Sequence, residues 1–185
     1  MKITILQWNI WYREDIGNVA KLIKQHQPDI VCLQELTKNF PEQSQRDTVA
    51  YIAHVLGGHH HYQEFKRSDK TWQQANGIFT KFPITNTRSV WINEPIGVGG
   101  SEDEHRAYIE TTLDISGQKL TVGTTHMSYT SGFTITERKK QETERLLPEL
   151  RNSKQLCTGT KAGRIKSVMA SCSATPHTSA KRCWG

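Results

Sequence analysis

Two polar side chains stand out because each closes an apolar run. Ile3-Thr-Ile-Leu-Gln-Trp-Asn9-Ile10 carries Asn9 at its end, and Pro28-Asp-Ile-Val-Cys-Leu-Gln-Glu35 carries Glu35 at its end. A carboxylate accepts hydrogen bonds and an amide both donates and accepts, so the two side by side would make a polar site. Taken singly, Glu35 reads as a solvated carboxylate at a strand end and Asn9 as a turn residue. The chain between them decides. Both runs are short and rich in β-branched residues, which predicts strands. Ile16, Val19, Ala20 and Ile23 recur at i, i+3, i+4 and i+7, the apolar stripe of one helix. In a strand, crossover helix, strand unit whose strands are neighbours, both carboxyl ends reach the same sheet edge. Asn9 and Glu35 are therefore expected to share a site.

Further elements follow from the same periods. Val49, Ile52, Ala53 and Leu56 mark a second amphipathic helix, which Gly57-Gly58 stops. His59-His60-His61 invites a metal reading, but neighbours in an extended segment point to opposite sides, so a solvated loop or strand edge is expected. Asn76-Gly77 reads as a turn, followed by a short buried strand and a stop at Pro83. Gly97-Val-Gly-Gly100, beside the acidic run Glu102-Asp103-Glu104, reads as an exposed loop, because no strand and helix flank it as a phosphate-cradling loop requires. Arg106–Asp114 and Lys119–His126 both alternate around Ser116-Gly117-Gln118, which predicts a β-hairpin. Thr134-Ile-Thr-Glu137 has capping-box spacing and opens a helix expected to reach about Leu147, before Pro148.

In Gln7-Trp-Asn-Ile and Leu33-Gln-Glu-Leu, with the Pro-Asp-Ile-Val lead-in, the chain resembles the opening of the endonuclease/exonuclease/phosphatase superfamily, the DNase-like metal-dependent phosphodiesterases. Gly77 through Phe82-Pro-Ile84 is similar to that family's core strand, and Thr124-Thr-His126-Met to its Thr-His-Leu strand end. The resemblance covers about residues 1–150. It implies an α+β fold, a four-layer αββα sandwich. It also implies a divalent metal, Mg2+ or Mn2+, held by Glu35 with Asn9 in support, and a His126 that meets the scissile phosphate as a hydrogen-bond donor or acid. Arg106 matches the arginine that opens the preceding strand and takes a supporting, substrate-side role. Tyr129 lies in the loop where substrate contacts would be made, and Arg138 and Gln141 are expected on one side of the following helix.

The pattern then fails. The family supplies a Gly-Asp-x-Asn strand end and later a Ser-Asp-His segment; here Val168-Met-Ala-Ser171-Cys-Ser173-Ala-Thr-Pro176 puts serines where Asp and Asn should stand, and no Ser-Asp-His follows. Residues 1–150 hold 17 Lys and Arg against 18 Asp and Glu, whereas residues 151–185 hold 7 basic residues and no acidic one. The overall charge of +6 is therefore no footprint of a nucleic-acid-binding face on the body. The tail reads as a disordered end or as the product of a reading-frame shift or early stop, leaving the sandwich incomplete at its C-terminus. The expected function is a metal-dependent phosphodiester or phosphoester hydrolase with impaired activity. The alternative is a non-catalytic phosphate- or partner-binding remnant. A phosphodiester or phosphomonoester is the expected partner, nucleic acid among the candidates. No apolar run is long enough to span a membrane. Met1-Lys2 followed by a strand pattern does not resemble a signal peptide, and four cysteines form no Cys-x-x-Cys pair, so a reduced, cytoplasmic protein is expected.

Overall fold

A computed structural model describes residues 2–66, 70–94, 104–129, 134–155 and 169–173, with backbone alone for 154–155 and 169–173. Strand β1 (Ile5–Asn9), helix α1 (Ile16–His26) and strand β2 (Ile30–Lys38) form the predicted unit, β1 and β2 pairing in parallel from Ile5 opposite Ile30 to Asn9 opposite Gln34. Asp15 caps α1 by accepting from the Asn18 amide, and the buried face is Ile16, Val19, Ala20 and Ile23. Helix α2 (Thr48–Leu56), capped by Asp47, ends at Gly57 with φ 65°. Strands β3 (His59–Lys66) and β4 (Gln73–Thr80) extend the sheet on the β2 side, and β8 (Met169–Ser173) pairs in parallel with β1 on the other. A second, antiparallel sheet holds β5 (Ile84–Trp91), β6 (Ala107–Ile115) and β7 (Gln118–Thr125). Helix α3 (Glu137–Gln155) follows.

Burial arranges these as layers. On one face of the first sheet Leu6, Val31, Leu33, Leu36 and Phe79 meet α1 and α2 through Ile16, Val19, Ile23, Val49 and Ile52. On its other face Ile3, Ile30, Cys32 and Ile78 meet Ile109, Leu113, Ile115 and Val122 of the second sheet. Leu146 of α3 meets Tyr108 and Ile92 on the far side of that sheet. The fold is thus α+β, an αββα sandwich with one incomplete sheet pair. The β6–β7 hairpin turns through Ser116 and Gly117 at φ 54° and 83°, the double positive pair that tight hairpins need.

Four local expectations are corrected. Asn76-Gly77 is no turn but lies inside β4, because Gly77 sits opposite Leu33 beside a bulge; a Cβ there would come within 2.8 Å of the Phe79 ring and 3.0 Å of Leu36. Helix α3 is capped by Thr136, whose Oγ1 accepts from the Lys139 amide at 3.3 Å. It also runs through Pro148 to Gln155. Proline removes one helix hydrogen bond, but contacts beyond it hold the helix on: Glu149 pairs with Arg88, and Ser153 bonds Glu110. Gln141 is exposed, and Glu142, one residue on, takes the buried position next to Arg138. His59–His61 fall on edge strand β3, as the alternation suggested, with His61 Nε2 3.1 Å from Ser89 Oγ. The Gly97–Gly100 loop lies outside the described residues. Cys32 is free and buried, its thiol pushed up to about 12 by desolvation. No helix among the described residues is long and apolar enough to cross a membrane.

Candidate functional site

Asn9 reaches the site by simple alternation. Ile5 and Gln7 face the second sheet, where Ile5 packs in the intersheet core and Gln7 bonds Thr124, and Asn9 follows on the same side. Glu35 does not follow by alternation. Ile30, Cys32 and Gln34 of β2 face the second sheet, while Val31 and Leu33 face the helices. Leu36 faces the helices too, because the register against β4 shifts between Leu33 and Leu36. Glu35 is the extra residue of this bulge and takes a left-handed backbone, φ 63°. A non-glycine residue held there costs about 1–3 kcal/mol and such residues gather at functional sites. The bulge turns the carboxylate off the helix face and toward Asn9, whose Nδ2 donates to Glu35 Oε1 at 2.8 Å. The backbone amide of Tyr12 donates to Oε2 at 3.1 Å, and that of Trp11 to Asn9 Oδ1 at 3.0 Å.

His126 arrives from the end of β7 on the second sheet. Its Nε2 lies 3.4 Å from Asn9 Nδ2 and 3.5 Å from Glu35 Oε1. Its Nδ1 lies 3.0 Å from Arg106 NH1. A guanidinium only donates, so Nδ1 must accept and the single ring proton sits on Nε2, toward Glu35. Burial first, and the Arg106 charge second, hold the imidazole down to about 3, so it is neutral at physiological pH.

Arg106 is itself 1% exposed, and desolvation lowers its pKa, opposed by Glu104, Glu142 and Glu35. NH2 donates to Glu104 Oε2 at 2.6 Å and the backbone amide to Asn93 Oδ1 at 2.6 Å. Asn93 Nδ2 in turn donates to Glu142 Oε1 at 2.6 Å, and Glu142 Oε2 accepts from the Ser128 amide at 3.0 Å. Arg138 Nε stands 3.6 Å from Glu142 Oε1. A fully buried carboxylate on α3 is thereby tied through Asn93 to the arginine behind His126. Thr124 joins the sheets from within, its Oγ1 2.9 Å from Gln7 Nε2 and 2.8 Å from Gln34 Nε2.

The sequence-derived residues Asn9, Glu35, His126 and Arg106 thus lie in one hydrogen-bonded cluster. Tyr129, three residues past His126, is 53% exposed; residues 130–133 of its loop lie outside the described residues. Glu142, Asn93, Glu104 and the two glutamines were missed, although Gln7, Gln34 and Thr124 occupy core-facing strand positions where a polar side chain needs an explanation.

Comparison with known proteins bears on the family and the fold. A model of the Endonuclease/Exonuclease/phosphatase family matches residues 6–149. The chain belongs to that family. Among solved structures it is similar to an endonuclease/exonuclease/phosphatase from Beutenbergia cavernae (23% identity, TM-score 0.61, 90% of this chain and 46% of that one). It is also similar to TDP2 of D. rerio, solved with a single-strand DNA product (16% identity, TM-score 0.57, 82% and 55%). A third is the mannosyl-6-phosphatase of Bacteroides thetaiotaomicron (15% identity, TM-score 0.53, 91% and 64%). The chain spans about half to two thirds of these family structures. No curated protein matches it.

Enzymes of the endonuclease/exonuclease/phosphatase family generally use a divalent metal. Among the described residues no three His, Cys, Asp or Glu side chains converge as a complete metal cage. The donor set at Glu35 fits a narrower demand: each carboxylate oxygen accepts one hydrogen bond and keeps further lone pairs. Magnesium sites commonly use one or two carboxylates and otherwise water and substrate oxygens. Strand β8 sets Ser171 beside Gln7 and Ser173 beside Asn9 in register, so no carboxylate joins from that neighbour.

Proposed function

We propose that this chain carries the amino-terminal half-site of a metal-dependent phosphodiester or phosphoester hydrolase, with residues 1–150 as the family domain and 151–185 as a basic extension. The supporting observation is the meeting of Asn9 on β1, Glu35 on β2 and His126 just past the end of β7, drawn from two sheets to within 2.8–3.5 Å of one another. Glu35 would hold Mg2+ or Mn2+, with Asn9 and the Tyr12 amide fixing the carboxylate. When bound, such a cation offsets the charge on the phosphoryl oxygens. His126, neutral and protonated on Nε2, serves as a hydrogen-bond donor to a phosphoryl or leaving oxygen; a pKa held to about 3 leaves no imidazolium to act as an acid near neutrality. Arg106 enforces that tautomer from behind, and Tyr129 is an outer substrate contact.

The positions beside Gln7 and Asn9 on β8 are serines. A serine hydroxyl does not serve as a base near neutral pH, and general-base catalysis contributes typically ~100- to 10,000-fold, so activity is expected to be strongly reduced. This same register favours the second reading, a remnant that binds phosphate without hydrolysing it. Both are tested by incubating the chain with bis(p-nitrophenyl) phosphate and Mg2+. Slow turnover that disappears in Glu35→Ala and with chelator supports the hydrolase. Calorimetric binding of Mg2+ and inorganic phosphate without turnover supports the remnant. Neither turnover nor binding overturns both.

A further inference from the structure

Trp11 is held at φ 58° with 39% of its surface exposed. The left-handed region is uncommon and costly for a bulky L-residue, and an exposed indole forgoes the gain of burial. The loop that carries it is well fixed. The amides of Trp11 and Tyr12 brace Asn9 Oδ1 and Glu35 Oε2, and Arg13 pairs with Glu42 at 3.3 Å. Tyr12 turns inward, its ring stacked on Trp72 (centroids 5.3 Å apart, 27° between planes) and edge-on to Phe40 (5.3 Å, 77°). An aromatic nest therefore stands next door, and Tyr12 joins it, while Trp11, whose backbone amide is bonded to Asn9 of the site, keeps 39% of its surface exposed. Among the described non-glycine residues at positive φ (Trp11, Gln27, Glu35, Asn39, Ser44, Gln45 and Ser116), Trp11 is the one aromatic.

We propose that Trp11 is a stacking platform that selects, for the phosphoester at this site, an ester partner bearing a planar ring: a nucleotide within a nucleic-acid strand, over a lipid- or sugar-borne phosphate. The proposal rests on the reading of Asn9, Glu35 and His126 as a phosphoester site. Charge supports the choice of mechanism. Residues 1–150 hold 17 basic against 18 acidic residues, so the body offers no net electrostatic grip on a phosphate backbone. Recognition of a strand must then lean on base stacking, for which tryptophan offers a large, rigid π-face.

The test titrates the full chain in Mg2+ with 5′-phosphorylated tetrathymidylate and, separately, with glycerol 3-phosphate, following heat and tryptophan emission. The oligonucleotide should bind roughly 5- to 100-fold more tightly, the range that stacking one base supplies. Trp11→Ala should remove that advantage and leave glycerol 3-phosphate binding unchanged, and Trp11→Phe should keep most of it. Equal weakening of both ligands in Trp11→Ala, or unchanged oligonucleotide affinity, overturns the proposal while leaving the phosphoester site standing. Binding of neither ligand by the unaltered chain overturns the site reading and this proposal with it. Far-UV circular dichroism identical across the variants shows that the exposed position does not carry the fold.

Discussion

The layer between the two sheets changes character along its length. Toward the amino end of β1 it is hydrocarbon: Ile3, Ile30, Cys32 and Ile78 against Ile109, Leu113 and Ile115. Toward the carboxyl end the same sheets enclose Gln7, Gln34, Thr124, Asn76 and Arg106, with Asn93, Glu104 and Glu142 behind. Apolar burial is non-directional, so the first half holds the sheets together without dictating fine registration. Each buried polar group instead needs a particular partner, and breaking a buried charge pair strands the other charge. The first half makes a sandwich. The second makes one arrangement of it, the arrangement in which His126 meets Glu35.

That contrast can be broken or sharpened by matched substitutions at the two ends. The largest effect is expected from Arg106→Met, which roughly keeps volume but removes the buried guanidinium that pairs with Glu104; breaking such a pair costs about 3–5 kcal/mol, read as a loss in urea unfolding free energy. The next comes from pH, in buffer free of divalent cations. His126 titrates at about 3 in the fold against an ordinary 6.5 when unfolded, so between those values the unfolded chain binds more protons. Stability is therefore fully present above pH 6.5 and falls as pH drops toward 3. Paired carboxylates such as Asp29 and Asp114 lose stability in the same direction. The His126→Gln variant isolates the imidazole: its unfolding midpoint should decline less between pH 7 and 4 than that of the unaltered chain, and an identical decline refutes the assignment.

Smaller effects follow at single uncharged positions. Thr124→Val preserves shape but takes a partner from Gln7 and Gln34, at about 1–3 kcal/mol. Ile109→Val, at the hydrocarbon end, should cost only ~0.5–1.5 kcal/mol because one methylene is lost from a non-directional contact. If the valine at 109 proves the costlier of the two, the division of labour between the ends is wrong.

Much of the scaffold could be read along the chain. The stripe Ile16, Val19, Ala20, Ile23 fixed α1, the strand patterns on either side placed Asn9 and Glu35 at one edge, and Ser116-Gly117 marked the hairpin, all because these patterns act within a few residues. Asn76-Gly77 misled because a glycine required by close packing against Phe79 and Leu36 looks the same in the chain as one required by a turn. Pro148 misled because a helix-breaking cost is local, whereas the contacts of Glu149 and Ser153 that offset it come from β5 and β6. The family motifs pointed to His126, but nothing near it in the chain announces Glu142, sixteen positions on, as part of its support.

Residue type and spacing thus determined most of the elements, the family and the identities of the amide, carboxylate and imidazole, since periodicity and side-chain chemistry are properties of the chain itself. Only the tertiary structure decided that Glu35 leaves its strand's alternation through a bulge, that the His126 proton sits on Nε2, and that Arg106 is tied to α3. Those are matters of which partner stands within 3 Å. Partners from distant segments meet only when the sheets close.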